Sequence, residues 1–486
     1  MLFHSHDFIF GLLPLTWTMW RAADRTSPRA ALWVLVLSSL LFYAWWYPPY
    51  LVLFLASMAG NFSLGQVLGD DTRAERVRDR ALWWGVAANL ATLFVFKYLG
   101  WILEIVGQLG GPVLQGPGWS LPIGISFFTF QQVAYLVDAR RGLCKEHDGL
   151  AYAFFVSFFP QLIAGPIIHH RDILPQVHER RRPTADDLAV GVSLFVVGLS
   201  KKVLIADLMA PQVDRVYGGV HAGEPPTTAV AWLGILAWHF QLYFDFSGYS
   251  DMSLGLARMF AMRLPVNFEA PYRADSLTEF WRRWHLSLSH FLRDYLYVPL
   301  GGNKGGAWMQ ARNQFLTLWI AGIWHGAGWT FFVWGLQMGG IVYVHTLMRA
   351  RGWTLPDSPF GIGVGRMLLW LCMLSSWPLF RGQSLADAGV FYEALLGLGP
   401  AGLGAFPLSW LLAFGVLTVW TQVLPTTQQL FRLHEPAWNW RPIDTLTGPS
   451  WLAWRPGWVW GAVTAVLFAA SVTVLDRAGA FLYWNF

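Results

Sequence analysis

Apolar residues dominate this chain in long runs that are separated by short polar or basic stretches. A helix needs roughly 20 apolar residues to cross a bilayer, and fewer where it is re-entrant or lies in the interface. The clear candidate spans are residues 31–46, 50–68, 82–106, 121–137, 188–209, 228–246, 315–344, 366–380, 408–424 and 458–474, with shorter apolar runs at 8–20 and 151–168. This pattern predicts an all-α polytopic membrane protein.

Prolines interrupt two of these runs. Pro122, Pro160 and Pro166 predict bent or broken helices, because proline lacks a backbone donor and its ring clashes with the preceding turn. Carbonyls freed at depth must be satisfied by neighbouring protein or by water in a cavity. The run 315–344 is long enough for one steep span or for a broken pair of helices.

Residues 280–295 have the period of an amphipathic helix. Trp281, Trp284, His285 and Leu288 recur at intervals of three and four, and Arg282 lies on the other side. This spacing predicts a helix that lies along the cytoplasmic interface. Asp275 or Ser276 could cap its first turn, as short polar side chains do.

Composition supports a membrane protein rather than a large soluble enzyme. Of 486 residues, 55% are hydrophobic and 13% are charged, and 30 are tryptophan. No long polar stretch could serve as a linker, so we expect one membrane domain over residues 1–486. No basic segment or cleavage site marks the first apolar run as a signal peptide, so we expect it to be retained. The two cysteines, Cys144 and Cys372, indicate neither a disulfide framework nor a metal cluster.

Basic residues are concentrated in alternate loops. Segments 21–29, 70–80, 140–145, 171–182 and 282–312 carry most of the positive charge, whereas segments 47–49, 107–119 and 221–226 carry almost none. Because Lys and Arg favour the cytoplasmic side, this alternation predicts an outside amino terminus and a cytoplasmic segment 282–312. The net charge of +5 arises from these loops, so we do not expect nucleic-acid binding.

One histidine lies within an apolar run. The stretch Gly322-Ile-Trp-His-Gly326 places the imidazole of His325 among apolar and aromatic residues. An ionisable residue at such depth indicates a functional site, usually facing a cavity. From the pattern alone, His325 could equally be a core histidine whose hydrogen bonds are satisfied.

A glycine-rich turn follows the amphipathic segment. Pro299-Leu-Gly-Gly-Asn-Lys-Gly-Gly306 lacks the Lys-Ser or Lys-Thr ending of a Walker loop. Its backbone amides could still hold a phosphate, with Lys304 supplying the charge. The alternative is a flexible interfacial turn.

Other polar clusters give weaker indications. Asp245, Ser247 and Asp251 suit packing and capping better than a catalytic triad, since no nucleophile-elbow pattern surrounds Ser247. His169, His170 and His178 lie in a basic loop without cysteine or carboxylate ligands at usual spacings, so we interpret them as surface residues and expect no metal site.

Several separate stretches together resemble one family. They are Leu121-Pro-Ile-Gly-Ile-Ser-Phe-Phe-Thr-Phe-Gln131, Phe158-Phe-Pro-Gln-Leu-Ile-Ala-Gly-Pro166, Tyr243-Phe-Asp-Phe-Ser-Gly-Tyr-Ser-Asp251, Glu279-Phe-Trp-Arg-Arg-Trp-His285, Tyr297-Val-Pro-Leu-Gly-Gly-Asn303 and Gly322-Ile-Trp-His-Gly326. In these stretches the chain resembles membrane-bound O-acyltransferases of the bacterial alginate O-acetyltransferase branch. The resemblance extends from the start to about Gly340. The ending Phe481-Leu-Tyr-Trp-Asn-Phe486 departs from the Phe-Ile-Tyr-Phe-Gln-Phe common in the branch.

The resemblance implies a ring of transmembrane, re-entrant and interfacial helices around a central tunnel. It makes His325 the catalytic residue, and imidazole suits a base that activates a hydroxyl for attack on a thioester. His285 matches the second polar position of the family and could orient the donor, stabilise the oxyanion or anchor its helix. We expect substrate contacts from four further residues, Trp324, Trp281, Asn303 and Lys304.

The function that the resemblance implies is transfer of an acetyl group from a cytoplasmic donor, acetyl-CoA by expectation, toward hydroxyls of an exported polysaccharide such as alginate. We expect no tightly bound cofactor, a location in the bacterial inner membrane, and a periplasmic or membrane-anchored acetyltransferase as partner. The alternatives on the same fold are D-alanyl transfer to teichoic acid and O-acetylation of peptidoglycan. A transporter is an alternative of another class, because broken helices and intramembrane histidines also occur there.

Overall fold

A computed structural model describes the chain except for residues 113, 115, 117, 164, 180, 403, 405, 406, 444–447 and 483–486. The described part consists of helices and connecting turns, and it contains no strand. The last four residues of the divergent chain ending lie outside the described residues.

The first half of the chain forms eleven α-helices. They are α1 Leu13–Thr26, α2 Pro28–Ala44, α3 Pro49–Gly69, α4 Glu75–Leu93, α5 Leu99–Gln108, α6 Ile125–Arg140, α7 Gly149–Ser157, α8 Phe159–Leu162, α9 His170–Glu179, α10 Ala185–Ser200 and α11 Asp207–His221. Short π-helical turns lead into α1, α5 and α11 at Asp7–Leu12, Phe94–Tyr98 and Lys201–Ala206.

The second half forms ten more. They are α12 Thr228–Met259, α13 Leu277–Trp281, α14 Leu286–Leu292, α15 Gly306–His325, α16 Trp329–Ala350, α17 Pro359–Arg381, α18 Leu385–Leu395, α19 Leu408–Val423, α20 Thr427–Leu430 and α21 Trp458–Val472. A π-helical turn, Arg293–Tyr297, follows α14. Single 3-10 turns occur at Pro271–Arg273, Arg432–His434, Ser450–Leu452 and Leu475–Arg477.

Five helical segments of the described chain are long and apolar enough to cross a membrane. They are Pro49–Gly69, Glu75–Gln108, Ala185–His221, Trp329–Ala350 and Pro359–Arg381. Three shorter apolar helices accompany them, Pro28–Ala44, Leu408–Val423 and Trp458–Val472. The prediction of an all-α polytopic membrane protein is therefore confirmed.

Glycines let α10 and α12 pack closely at the centre. A Cβ on Gly198 would lie 2.5 Å from the carbonyl oxygen of Gly248, and one on Gly255 would lie 2.6 Å from the carbonyl oxygen of Gly191. Small residues at such intervals bring helix backbones together in membranes. Helix α12 continues to Met259, well past the predicted end at 246. The apolar run stops there, but the helix continues because its polar residues are buried, and Asp251 is paired with Lys201 at 2.7 Å.

The run 315–344 forms a broken pair, α15 and α16, joined at Gly326-Ala-Gly328. A Cβ on Gly322 would lie 2.5 Å from the Cα of Gly335, so the two helices touch through glycine near the turn. His325 is the last residue of α15. The break thus places the imidazole at a helix end.

The prediction of a single amphipathic helix over residues 280–295 is wrong. Ser276 caps α13 as proposed, but α13 ends at Trp281, and His285 adopts a left-handed conformation with φ 45° before α14 begins. The main-chain N–H of Leu286 donates to the carbonyl of Asn267 at 3.0 Å, which holds the segment in this bend. Trp284, His285 and Leu288 are buried, so tertiary contacts override the helical period.

Candidate active site

His325 lies in an aromatic enclosure. Its ring contacts Trp324, Trp334 and Phe380, with centroids 5.0, 5.5 and 5.3 Å away. The side chain is 6% exposed. Apolar walls of this kind exclude water and strengthen the electrostatic interactions of the imidazole.

The helix end that carries His325 is held by two neighbouring residues. Lys97 Nζ donates to the carbonyl of Trp324 at 2.5 Å and to that of His325 at 3.2 Å. The hydroxyl of Tyr98 donates to the carbonyl of Ile323 at 3.1 Å. The last four carbonyls of a helix lack intrahelical donors and carry its negative dipole end, so a cation stabilises them. The π-helical turn Phe94–Tyr98 supplies both donors.

His285 is fixed by Asn267. His285 Nδ1 lies 3.0 Å from Asn267 Oδ1, which also accepts from the backbone N–H and hydroxyl of Ser287. An amide oxygen only accepts, so Nδ1 of His285 must carry a proton, and in the neutral ring Nε2 carries the lone pair. The edge of Phe246 meets the ring with centroids 4.7 Å apart.

The two histidines are neighbours. His285 and His325 are close enough for a charge on one imidazole to act on the other, and a charge on Lys97 also reaches His325. Both side chains are buried. The structure therefore brings together the two residues that the sequence predicts as catalytic.

Trp324 also begins a column of stacked aromatic rings. Phe130 stacks on Trp324 at 5.1 Å and on Phe291 at 4.1 Å, and Phe291 contacts Tyr295 at 5.0 Å. The column joins α6, α14 and α15. It connects the neighbourhood of His325 with a buried polar cluster at the end of α6.

That cluster contains two of the histidines that the sequence places on the surface. His170 Nε2 lies 3.1 Å from Asp138 Oδ2, and the hydroxyl of Tyr295 donates to the same oxygen at 2.6 Å. His169 and His170 are buried, so their interpretation as surface residues is wrong. Asp138 holds His170 in the interior by this hydrogen bond, and His169 Nδ1 lies 3.3 Å from the hydroxyl of Tyr295. His178 has a half-exposed side chain whose Nε2 lies 2.7 Å from Glu146 Oε2.

The other predicted substrate contacts are spread out. Trp281 ends α13, four residues before His285, and its ring contacts Phe280. Asn303 and Lys304 lie in the turn before α15, whereas His325 ends that helix. A helix of 20 residues spans about 30 Å, so Asn303 and Lys304 are far from His325. Among the four, Trp324 contacts the His325 ring.

The glycine-rich turn is closed by its own hydrogen bonds. Asn313 Nδ2 donates to the carbonyl of Gly302 at 2.9 Å, and the hydroxyl of Tyr297 donates to the side chain of Asn303. Gly301 and Gly305 have φ of 111° and 89°, values that glycine adopts readily. Phosphate binding at this turn stays a prediction.

The carboxylates on α12 are paired. Asp245 Oδ1 lies 2.6 Å from Lys202 Nζ, and Asp251 Oδ2 lies 2.7 Å from Lys201 Nζ. Ser247 Oγ has no hydrogen-bond partner among the described residues, so the arrangement gives no support to a triad. Within that part of the chain, no three His, Cys, Asp or Glu side chains group as metal ligands.

Sequence reasoning missed Lys97 and Asn267. Lys97 interrupts the apolar run 82–106, and an intramembrane cation is a signal that could have found it. Asn267 lies in the link after α12, and nothing local distinguishes it from a loop residue. Its role depends on a contact across 18 residues.

Comparison with known proteins agrees with the resemblance in the motifs. Residues 77–373 match the model of the membrane-bound O-acyltransferase family. A probable alginate O-acetylase, AlgI, of Pseudomonas aeruginosa is 35% identical over the whole of both chains. A peptidoglycan O-acetyltransferase of Helicobacter pylori is 36% identical over 83% of this chain and 81% of its own.

A teichoic acid D-alanyltransferase of Bacillus subtilis shares 28% identity over 44% of this chain and 56% of its own. The family model covers more than half of the chain, and it includes both buried histidines and the lysine that holds the helix end. The chain therefore belongs to the membrane-bound O-acyltransferase family and is an O-acyltransferase.

Proposed function

We propose that this enzyme moves an acetyl group from a cytoplasmic thioester donor, acetyl-CoA by expectation, across the membrane toward hydroxyl groups of an exported polysaccharide such as alginate. The observation that carries the proposal is the pair of buried histidines, His325 and His285, in a chain that matches the alginate O-acetylase over its full length. The bacterial inner membrane is the proposed location. The tunnel implied by the resemblance would join the donor side to the outer side.

In the proposed reaction, His325 accepts the proton of the attacking hydroxyl. The hydroxyl oxygen forms a bond to the acyl carbon, and the carbon–sulfur bond of the thioester breaks. The leaving thiolate takes up the proton, so the products are an ester and a free thiol. An imidazole serves well here because its ordinary pKa lies near the operating pH.

His285 would act from a fixed orientation. With Nδ1–H bonded to Asn267, the neutral ring presents a lone pair at Nε2 and cannot donate a hydrogen bond there. Stabilising an oxyanion from Nε2 would require the protonated ring. Of the roles open to His285, orienting the donor or acceptor therefore needs the fewest proton movements.

Peptidoglycan is the second candidate acceptor, since the Helicobacter pylori relative has similar identity and coverage. The D-alanyltransferase match covers less than half of the chain, which favours D-alanyl transfer less. Transport without chemistry does not fit membership of an acyltransferase family. A periplasmic or membrane-anchored acetyltransferase is the proposed partner that completes delivery.

The acceptor can be identified in a deletion strain. We expect loss of O-acetyl groups from the exopolysaccharide, restored by the wild-type gene, with unchanged peptidoglycan acetylation and teichoic acid D-alanylation. Ester-linked acetate and D-alanine would be released from each purified polymer and quantified. Loss confined to peptidoglycan or to D-alanyl esters would replace the proposed acceptor with one of the alternatives.

A further inference from the structure

The proposed reaction requires a hydrogen-bond donor for the acyl oxygen. When a hydroxyl attacks a thioester, the carbonyl oxygen becomes negatively charged, and donors that are already aimed at this oxygen lower the barrier. His325 has the role of base, and the neutral ring of His285 carries its proton on Nδ1 and cannot donate from Nε2. The donor must therefore come from another residue beside His325.

Two tryptophan rings contact the imidazole of His325. The rings of Trp324 and Trp334 lie with centroids 5.0 and 5.5 Å from it. Both side chains are buried, 6% and 3% exposed, and neither Nε1 has a hydrogen-bond partner in the described part of the chain. An indole N–H can only donate, and a buried donor without a partner costs roughly 1–3 kcal/mol. An acceptor oxygen that enters with the substrate would remove this cost.

The two indoles have different surroundings. Phe130 stacks on Trp324 at 5.1 Å, so the Trp324 ring belongs to the aromatic column that leads toward α6 and α14. Trp334 comes from α16, and its ring contacts Phe380 at 5.1 Å. Phe380 in turn contacts His325 at 5.3 Å. Trp334, Phe380 and His325 are therefore three rings that all touch one another, which makes Trp334 part of the wall around the imidazole.

The backbone beside Trp334 is fixed against the helix that carries His325. A Cβ on Gly335 would lie 2.8 Å from the carbonyl oxygen of Trp319, and one on Gly322 would lie 2.5 Å from the Cα of Gly335. Helices α15 and α16 therefore touch through backbone next to both side chains. A donor held in this way needs little reorganisation during the reaction, and such preorganisation is what makes an oxyanion donor effective.

We propose that Trp334 is a further catalytic residue, whose Nε1–H donates a hydrogen bond to the acyl oxygen as that oxygen becomes negatively charged. Its ring lies 5.5 Å from that of His325, and a reacting group must lie about 3 Å from both the base and the oxyanion donor. The indole keeps its proton throughout, and the carbonyl re-forms when the carbon–sulfur bond breaks. This role rests on the proposed acyl transfer at His325, and Trp334 lies outside the motifs that carry the family resemblance.

An isosteric replacement tests the hydrogen bond separately from the packing. Trp334 is replaced by the benzothiophene analogue of tryptophan through amber suppression, so that sulfur takes the place of the N–H and the shape of the ring is kept. The readout is the initial rate at which labelled acetate enters, as ester, the polymer that loses O-acetyl groups in the deletion strain. We expect this rate to fall at least tenfold at equal membrane levels, because removing one oxyanion donor costs about 100- to 1,000-fold in kcat. Trp334→Phe, which also lacks the N–H, should lose at least as much.

The same replacement at Trp319 is the matched control. Its Nε1 is also without a partner among the described residues, but its ring contacts Phe315 and Phe332, and it precedes His325 on α15 by about 9 Å along the helix. A wild-type melting temperature in detergent establishes folding. A wild-type rate in either folded Trp334 variant, beside an inactive His325→Ala, would overturn the role of Trp334 and leave the proposed function intact. An equal loss at Trp319 would also overturn it, by assigning the effect to packing. Activity of His325→Ala would instead refute the proposed function, and with it this role.

Discussion

Lys97 binds the main-chain carbonyl of His325 across 228 positions of sequence, with Nζ 3.2 Å from the oxygen. The same ammonium lies 5.6 Å from the ring centroid of Trp324. A cation at a helix C-terminus stabilises the exposed carbonyls and fixes the direction of the last side chain. Lys97 is therefore a positioning residue for His325.

Replacing Lys97 tests this relationship. Lys97→Met should lower acyl transfer at least tenfold, because a displacement of about 1 Å can cost about 100-fold in rate. The expected change is in kcat rather than KM, and Lys97→Arg should restore part of it. Lys145→Met is the matched control, since Lys145 pairs with Asp71 on the surface. Equal activity of Lys97→Met and wild type, at equal membrane levels, would show that His325 needs no such support.

Asn267 should act through His285. Asn267→Ala removes the acceptor of the Nδ1 proton, so we expect a smaller loss of activity than with His285→Ala. The double variant should be no worse than His285→Ala, since residues in one network are not additive. The rates of acyl transfer by the two single variants and the double variant, each relative to wild type, form a double-mutant cycle. Fully additive losses would mean that the two side chains act independently.

The contact between α10 and α12 should dominate stability. Gly198→Ala places a Cβ 2.5 Å from both the Gly248 carbonyl oxygen and the Met252 nitrogen, so backbone must move. We expect a loss of about 1–3 kcal/mol from overpacking. Gly60→Ala is the control, because a Cβ there meets nothing within 4 Å and alanine favours helix. Thermal denaturation in detergent measures both, and a Gly198→Ala melting temperature equal to that of wild type would contradict the close contact.

The buried His169 should make the folded protein less stable at acid pH. Burial, aided by the charge of Arg171, lowers the pKa of His169 from 6.5 to about 4. Between those values the unfolded chain binds more protons than the folded one, so stability falls as the pH drops through this window and is unaffected above it. The resulting decrease in the free energy of unfolding reaches about 3 kcal/mol near pH 4.

Melting temperatures between pH 7.5 and 4.5 check this dependence. His169→Gln should flatten the decline, whereas His178→Gln should leave it as in wild type because the side chain of His178 is half exposed. An equal decline in wild type and His169→Gln would assign the acid sensitivity to other groups.

The sequence predicts helix positions well where apolar runs are uninterrupted. Pro49–Gly69 and Leu408–Val423 lie within a residue or two of the expected runs. It predicts poorly where polar residues are buried by tertiary contact. Helix α12 continues through Asp245 and Asp251 because lysines from the turn Lys201–Ala206 pair with them.

In the candidate active site, too, local sequence predicts some features, and others depend on tertiary contacts. The motifs that resemble the family indicate His325 and His285, and for His325 the apolar run around the imidazole also points to a functional site. The bend at His285 cannot be predicted from its period, since the hydrogen bond from Leu286 to Asn267 holds it. The hydrogen bond from Lys97 to the end of α15 likewise joins residues that are far apart in the sequence, so spacing could not predict it. The one-domain interpretation and the orientation of the chain in the membrane stay predictions.

The most direct test of the catalytic assignment is the O-acetyl content of exopolysaccharide in a deletion strain that expresses wild type or His325→Ala at equal membrane levels. We predict that His325→Ala abolishes acetylation while keeping a wild-type melting temperature in detergent. Acetylation retained by folded His325→Ala would contradict the role of His325 as the catalytic base.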